Sequence, residues 1–283
     1  MTEQPRPAIT AMWAWDNPVD PALDARGRGY APAAADRLAA FARAGGLQHV
    51  YVLAPTLPPA LPTARSGSSG PARGPVDAWL AEAVTALHDA GVTVSAVAGA
   101  RAATPHWVDA VTALAPFDRL QVAVVPWAGP GEGRTAADVG AATADAVVAV
   151  SDVAGSLPVD VCVPWWFATT TTDDGRSLLD PLLGSVGAVA LAAPAAHAEG
   201  PDGVLERAAP AVDALVAAGR PFTVGVQADT PELAGGSEHT FFDEGPVALI
   251  RECGTVAAAL AGVPGFGGVA VKAHRAWRRL LGV

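Results

Sequence analysis

Residues 90–99, AGVTVSAVAG, contain the unit on which the interpretation of the whole chain rests. An alanine and a glycine close a helical stretch, because glycine adopts the left-handed conformation that ends many helices, and an apolar run follows. The same Ala-Gly ending, each time followed by an apolar run, recurs at 44–45, 154–155, 218–219 and 261–262. This recurrence predicts a chain built from successive helix and strand units.

Eight apolar runs are strand candidates, namely 9–15, 49–54, 92–99, 119–125, 159–166, 187–193, 222–228 and 267–273. They are almost continuously apolar rather than alternating, as a parallel sheet covered on both faces requires. Eight such units in 283 residues predict an α/β fold, a single-domain (β/α)8 TIM barrel over 1–283. The alternative is an open, doubly wound sheet, which would carry a glycine-rich phosphate turn after its first strand. Residues 14–20, AWDNPVD, contain no such turn, and 58–75 are expected to form a flexible βα loop.

Composition excludes several classes of partner. With 28 acidic and 18 basic residues the formal charge is −10, which repels nucleic acid and anionic membrane surfaces. The sequence has neither a signal segment nor a run of 18 apolar residues, which predicts a cytoplasmic protein. Cys162 and Cys253 are isolated and the histidines are scattered, so neither a metal nor another cofactor is expected.

In a barrel, ligands bind at the C-terminal ends of the strands. Aromatic residues expected near this rim are Trp13, Trp15, Trp127, Trp165 and Trp166. Flat indole faces stack on sugar rings, although strand ends also bury aromatic residues beneath loops. Polar residues expected at the same rim are Arg101, Gln227, Lys272 and His274. The set predicts a small-molecule ligand of the saccharide or polyol class.

The neighbouring tryptophans Trp165 and Trp166 are placed by this scheme at the end of the fifth strand. Successive strand residues point to opposite faces of a sheet. One of the two indoles is therefore expected to face the barrel axis, and the other to pack on the helices.

Three segments carry a family resemblance: FDRLQVAVVPW (117–127), TFFDEG (240–245) and GGVAVKAHRAW (267–277). They resemble a group of bacterial glycoside-hydrolase-like TIM barrels, distantly similar to chitinase-type enzymes. The resemblance implies acidic residues on the fourth strand that act on the sugar. At those positions this chain has Ala123 and Val125.

The loss of these acids bears on mechanism, because glycoside hydrolysis normally needs two carboxyl groups flanking the bond, about 5 to 10 Å apart. A pair at the ends of the fourth and seventh strands also fails, since Val125 and Gln227 stand there. The chain is therefore interpreted as a catalytically degenerate saccharide binder. One alternative is an active glycoside hydrolase with relocated acids, Asp229, Glu238 and Asp16. Another is a non-catalytic partner subunit whose apolar rim is an interface.

Lys272 is the only lysine of the chain and lies near the end of an apolar strand. Burial could make its amine a Schiff-base nucleophile. The favoured interpretation is a buried lysine paired with an acid such as Asp16 or Asp229.

Overall fold

The computed structural model describes residues 7–14, 34–54, 75–125, 127–131, 133–173 and 175–283. Within them, eight parallel strands close into a barrel in which each strand pairs with the next and the last with the first. The strands are β1 Ile9–Ala14, β2 His49–Leu53, β3 Thr93–Gly99, β4 Arg119–Ala123, β5 Val159–Pro164, β6 Val189–Ala192, β7 Phe222–Gln227 and β8 Phe266–Lys272. All eight expected strands are present, and the (β/α)8 barrel is confirmed.

The helices lie outside the barrel in the connections between successive strands, except the last helix, which follows β8. Those described are α1 Ala35–Ala44, α2 Pro75–Asp89, α3 Pro105–Leu114, α4 Ala136–Ser151, α5 Trp166–Thr169, α6 Asp180–Leu183, α7 Val204–Ala217, α8 Pro231–Ala234, α9 Gly245–Leu260 and α10 His274–Leu281. The loop expected at 58–75 lies outside the described residues except for Pro75, which begins α2. No described helix combines the length and apolar character that a membrane span requires.

Among the described helix starts, those of α3 and α4 have side-chain caps. Thr104 Oγ1 accepts a hydrogen bond from the backbone N–H of Trp107 at 3.2 Å. Thr135 and Asp138 form a capping box, in which each side chain accepts from the backbone N–H of the other residue. Such bonds satisfy N–H groups that the first turn of a helix leaves without a partner. They fix where α3 and α4 start, after the ends of β3 and β4.

The buried apolar side chains of the described residues form two separate clusters, because successive strand residues point to opposite faces. The larger cluster fills the space between strands and helices and includes Leu120, Val122 and Val124. The smaller cluster lies inside the barrel and consists of Ala11, Trp13, Tyr51, Val97, Ala123, Trp127, Cys162, Ala190, Ala192 and Ala270. Half of its members are alanines, and these small side chains leave room inside the barrel for two indole rings.

The N-terminal end of the barrel interior is polar. Arg119 donates to both carboxylate oxygens of Asp160, with Nη2 at 2.7 Å from Oδ1. His49 contacts Thr93 Oγ1 through Nδ1 at 2.6 Å and Ser95 Oγ through Nε2 at 2.8 Å. Since barrels bind ligands at the opposite end, this network serves stability.

The His49 ring makes stability depend on pH. Burial, reinforced by the charge of Arg119, lowers the pKa of His49 from 6.5 to about 4. Between these values the unfolded chain takes up a proton that the folded chain does not. The contribution of His49 to the free energy of unfolding is therefore fully present above pH 6.5 and is lost as the pH falls. Between pH 7.5 and pH 5 the loss is about 2 kcal/mol.

Urea unfolding at pH 7.5, 6 and 5 measures this loss, with His49→Gln as the control. Glutamine keeps hydrogen-bonding groups near Thr93 and Ser95 but has no proton to gain in this range. We expect the free energy of unfolding of the variant to fall less over the same pH interval. Parallel pH profiles for the two proteins would show that His49 is not the source.

Candidate functional site at the barrel mouth

Three side chains stand next to one another at the C-terminal end of the barrel: Gln227 of β7, Lys272 of β8 and Trp13 of β1. The strand register sets Lys272 level with Gln227 on one side and with Trp13 on the other. We call this end, with Asp229 and Trp127 around it, the barrel mouth. It is the end at which enzymes of this fold carry their active sites.

The ammonium group of Lys272 is the centre of the barrel mouth. Its Nζ donates to Gln227 Oε1 at 2.9 Å and lies 3.3 Å from Asp229 Oδ2. It also lies 4.9 Å from the ring centre of Trp127, within range of a cation–π interaction. The pairing with Asp229 that we expected from the sequence is therefore present.

The loop after β7 is fastened to the same residues. Thr240 Oγ1 donates to the main-chain oxygen of Asp229 at 2.6 Å, and the backbone N–H of Phe241 donates to the main-chain oxygen of Gln227 at 3.0 Å. These bonds fold residues 231–242 back over the end of β7. Asp229 is thus held in place through its backbone as well as through its carboxylate.

The carboxylates proposed as relocated acids lie in different surroundings. The Asp229 side chain is 13% exposed and paired with Lys272, whereas that of Glu238 is 64% exposed and lies 3.6 Å from His239 Nδ1. Asp16 lies outside the described residues. The end of β4 contributes Ala123 and then the half-exposed Val125, so no carboxylate faces Asp229 from there. Whether Asp229, Glu238 or Asp16 has a catalytic role stays a prediction.

Trp13 and Trp127 are buried inside the barrel. The Trp13 ring stacks on Tyr51 with centres 4.8 Å apart and makes an edge-to-face contact with Trp127, with centres 5.0 Å apart. Its Nε1 donates to Gln121 Oε1 at 3.0 Å. Gln121 is not among the site residues expected from the sequence. Residue type alone does not show that a polar side chain within a strand faces the barrel interior. These indoles line the floor of the barrel mouth, and their faces are occupied by protein groups.

The expectation that Trp165 and Trp166 lie on opposite faces of a strand is wrong. β5 ends at Pro164, Trp165 has helical backbone angles, and Trp166 starts α5. Trp166 is buried and its Nε1 donates to the main-chain oxygen of Trp127 at 3.1 Å. Trp165 is partly exposed, with the guanidinium of Arg207 5.6 Å from its ring centre. Trp15 lies outside the described residues.

The remaining candidates are spread over the rim. Arg101 is exposed in the turn after β3. His274 is buried at the start of α10, where its ring makes an edge-to-face contact with Phe41, with centres 5.0 Å apart. Burial raises the pKa values of the Cys162 and Cys253 thiols to about 12, which keeps both protonated and unreactive. No group of three or more His, Cys, Asp or Glu side chains within the described part of the chain is arranged to hold a metal ion.

Neither a protein-family model nor a curated protein matches this sequence. Solved structures with the same architecture do match over most of the chain. A chitinase from Chromobacterium violaceum has 13% identity and a TM-score of 0.55, with 97% of this chain and 98% of that chain covered. A GH5-4 broad-specificity endoglucanase from an uncultured bacterium has 11% identity and a TM-score of 0.55, covering 94% of this chain and 87% of that one.

A β-mannanase from the blue mussel Mytilus edulis is a third similar structure, with 10% identity, a TM-score of 0.52 and coverage of 96% and 90%. At these identities the likeness concerns the fold. The resemblance to glycoside-hydrolase barrels that the sequence indicates is confirmed at that level.

Proposed function

We propose that this protein is a glycoside-hydrolase-like barrel that binds a saccharide or polyol at the barrel mouth without hydrolysing it by the two-carboxylate mechanism. The observation that carries the proposal is which residues stand where the catalytic acids of a glycoside hydrolase are expected. Ala123 and Val125 stand at and just beyond the end of β4, Gln227 ends β7, and Asp229 is held by Lys272. Hydrolysis needs one carboxyl group to protonate the leaving oxygen and a second to act as base or nucleophile.

The polar groups at the barrel mouth suit a ligand with many hydroxyl groups. Lys272 offers N–H donors, Asp229 offers carboxylate acceptors, and the amide of Gln227 offers both. The side chains of Lys272 and Asp229 are 11% and 13% exposed, so each presents a small accessible surface. Such a mixture of donors and acceptors is typical of the polar groups that orient a small ligand in its site.

The test is a thermal-shift screen against mono- and oligosaccharides, including chitin, β-glucan and β-mannan fragments, with each hit examined for cleavage products. A ligand at 100 times its Kd stabilises the fold by about 2.7 kcal/mol, which raises Tm by several degrees. We expect a shift with at least one compound and no products. We also expect Asp229→Asn to weaken binding by about tenfold, the loss of one charge-assisted hydrogen bond.

Asp243→Asn is the matched control, because Asp243 lies in the same loop before α9 and outside the Lys272 pair. Cleavage products that disappear in Asp229→Asn would replace the proposal by a hydrolase with relocated acids. Failure of every compound to shift Tm would contradict saccharide binding and direct attention to a partner-subunit role, which co-purification and light scattering address.

A further inference from the structure

A cavity lies beside the barrel, between the ends of β3 and β4 and the first two turns of α4. Its volume is about 210 Å³, and its wall includes Arg101, Arg134, Val124, Asp138, Val139 and Thr143. We call it the arginine cavity. It opens at the C-terminal side of the strands, the side on which ligand sites of this fold occur.

The interior of the arginine cavity is apolar. Small side chains of alanine and valine from both strand ends and from α4 line most of it. The hydroxyl of Thr143 donates to the main-chain oxygen of Val139 at 2.7 Å and is therefore already engaged within the helix. A ligand in this space would bury an apolar body against these walls.

Two guanidinium groups border the same space. Arg134 Nη2 donates to the main-chain oxygen of Val125 at 3.1 Å, which leaves most of its five N–H donors for another acceptor. Arg101 is exposed, and no hydrogen bond or ion pair to it occurs among the described residues. Guanidinium groups bind carboxylate and phosphate oxygens in a fork-like geometry.

Asp138 is the one carboxylate among the described residues of the cavity wall, and its charge does not offset both arginines. Asp138 accepts hydrogen bonds from the hydroxyl and the backbone N–H of Thr135, and these bonds lower the pKa of its carboxyl group. The Asp138 carboxylate is therefore already hydrogen-bonded at the N-terminal cap of α4. Among the described residues that line it, two positive side chains and one negative side chain give the cavity a local positive charge in a protein whose formal charge is −10.

We infer that the arginine cavity binds a small organic anion, a molecule of about ten heavy atoms or fewer with an apolar body and one carboxylate or phosphate group. The size follows from the volume, since a cavity of about 150 Å³ accommodates benzene. The apolar body would occupy the cavity and the anionic group would meet Arg101 and Arg134. The inference does not rest on saccharide binding, because the groups proposed to bind a saccharide, Gln227, Asp229 and Lys272, do not line this space.

Benzoate and its neutral analogue benzamide are the probes, with dissociation constants measured by NMR titration. We expect benzoate to bind about tenfold more tightly than benzamide, because only the anion forms charge-assisted bonds with guanidinium groups. Arg101→Gln should weaken benzoate by about tenfold and leave benzamide unchanged, whereas Arg37→Gln, an exposed arginine on α1, should alter neither. Asp229→Asn should also leave benzoate binding unchanged, which separates this site from the barrel mouth.

The variant Ala142→Leu distinguishes benzoate binding inside the cavity from benzoate binding elsewhere on the protein surface. Ala142 lines the cavity from α4 and is partly exposed, so a leucine there fills the space without disturbing the buried core. Loss of benzoate binding in this variant supports the inference. Equal affinity for the two probes, benzoate binding that survives Ala142→Leu, or the absence of benzoate binding each overturns it.

Discussion

Lys272→Met is expected to lower the free energy of unfolding by about 3 kcal/mol, because removing one partner of a buried ion pair leaves the other charge uncompensated. Methionine has a similar length and fits beside Trp127, so the loss comes from the charge. Asp229 would keep its carboxylate at the barrel mouth without the ammonium at 3.3 Å, and Gln227 Oε1 would lose its donor at 2.9 Å. Urea unfolding at pH 7.5 measures the change.

The double variant Lys272→Met/Asp229→Asn shows whether the pair is the cause. If the uncompensated carboxylate is responsible, the double variant is more stable than Lys272→Met by at least about 1 kcal/mol. Arg251→Met is the matched control, since Arg251 forms an ion pair with Glu252 but its side chain is 67% exposed. Exposed pairs contribute about 0 to 1 kcal/mol. Strictly additive effects of the two single substitutions would refute a coupled pair at the barrel mouth.

The fold could be predicted because its signals are local and repeated. A glycine after five helical stretches, each time followed by an apolar run, and eight apolar runs in all define units whose number and order permit few arrangements. The strand boundaries were less accurate. The run 159–166 contains a helical turn at its end, since apolar residues occur equally in a buried strand and in a buried turn.

The barrel mouth could be predicted in part. Lys272 is the only lysine and lies in an apolar strand, so a buried partner was required, and Asp229 follows the neighbouring strand. The orientation of the tryptophans could not be derived from residue type. A sequence signal does exist, because alanines on facing strands and Gly225 provide the space that Trp13 fills. A Cβ atom on Gly225 would lie 3.0 Å from the Trp13 ring.

The arginine cavity could not be predicted as a cavity, although the sequence places Arg101 at the rim. Arg134 lies in the glycine-rich segment before α4, where its side chain folds back toward the end of β4. Gly131 has φ of +87° and stands close to the Arg134 guanidinium, so the absence of a Cβ there permits the fold-back. Such a turn depends on backbone angles rather than on hydrophobic pattern, and periodicity does not reveal it.

Gly268→Ala is expected to lower the free energy of unfolding by about 3 kcal/mol or more, since an alanine with positive φ is strained and an overlap with the core must also be relieved. Gly268 has φ of +116°. A Cβ atom there would overlap the side chain of Thr10, whose own Cβ would lie at 2.9 Å. Thr10 cannot retreat freely, because it is buried and its Oγ1 donates to the main-chain oxygen of Gly267 at 2.9 Å.

Gly268 also controls the register that builds the barrel mouth. Phe222 pairs with Phe266 and Val224 with Val269, so β8 accommodates one more residue than β7 over this interval. That extra residue forms a β-bulge, a position that favours glycine. A shift of one residue would turn every later side chain of β8 to the other face, and Lys272 would leave the barrel interior.

Gly254→Ala is the matched control for Gly268→Ala. Gly254 lies within α9, and a Cβ atom at this position would have no neighbour within 4 Å, so alanine there should raise the free energy of unfolding by about 0.5 to 1 kcal/mol. Thermal and urea unfolding of the two variants should therefore move in opposite directions from the unaltered protein. If Gly268→Ala were as stable as Gly254→Ala, β8 would tolerate a residue with a side chain at position 268. The glycine bulge would then not be what sets Lys272 level with Gln227.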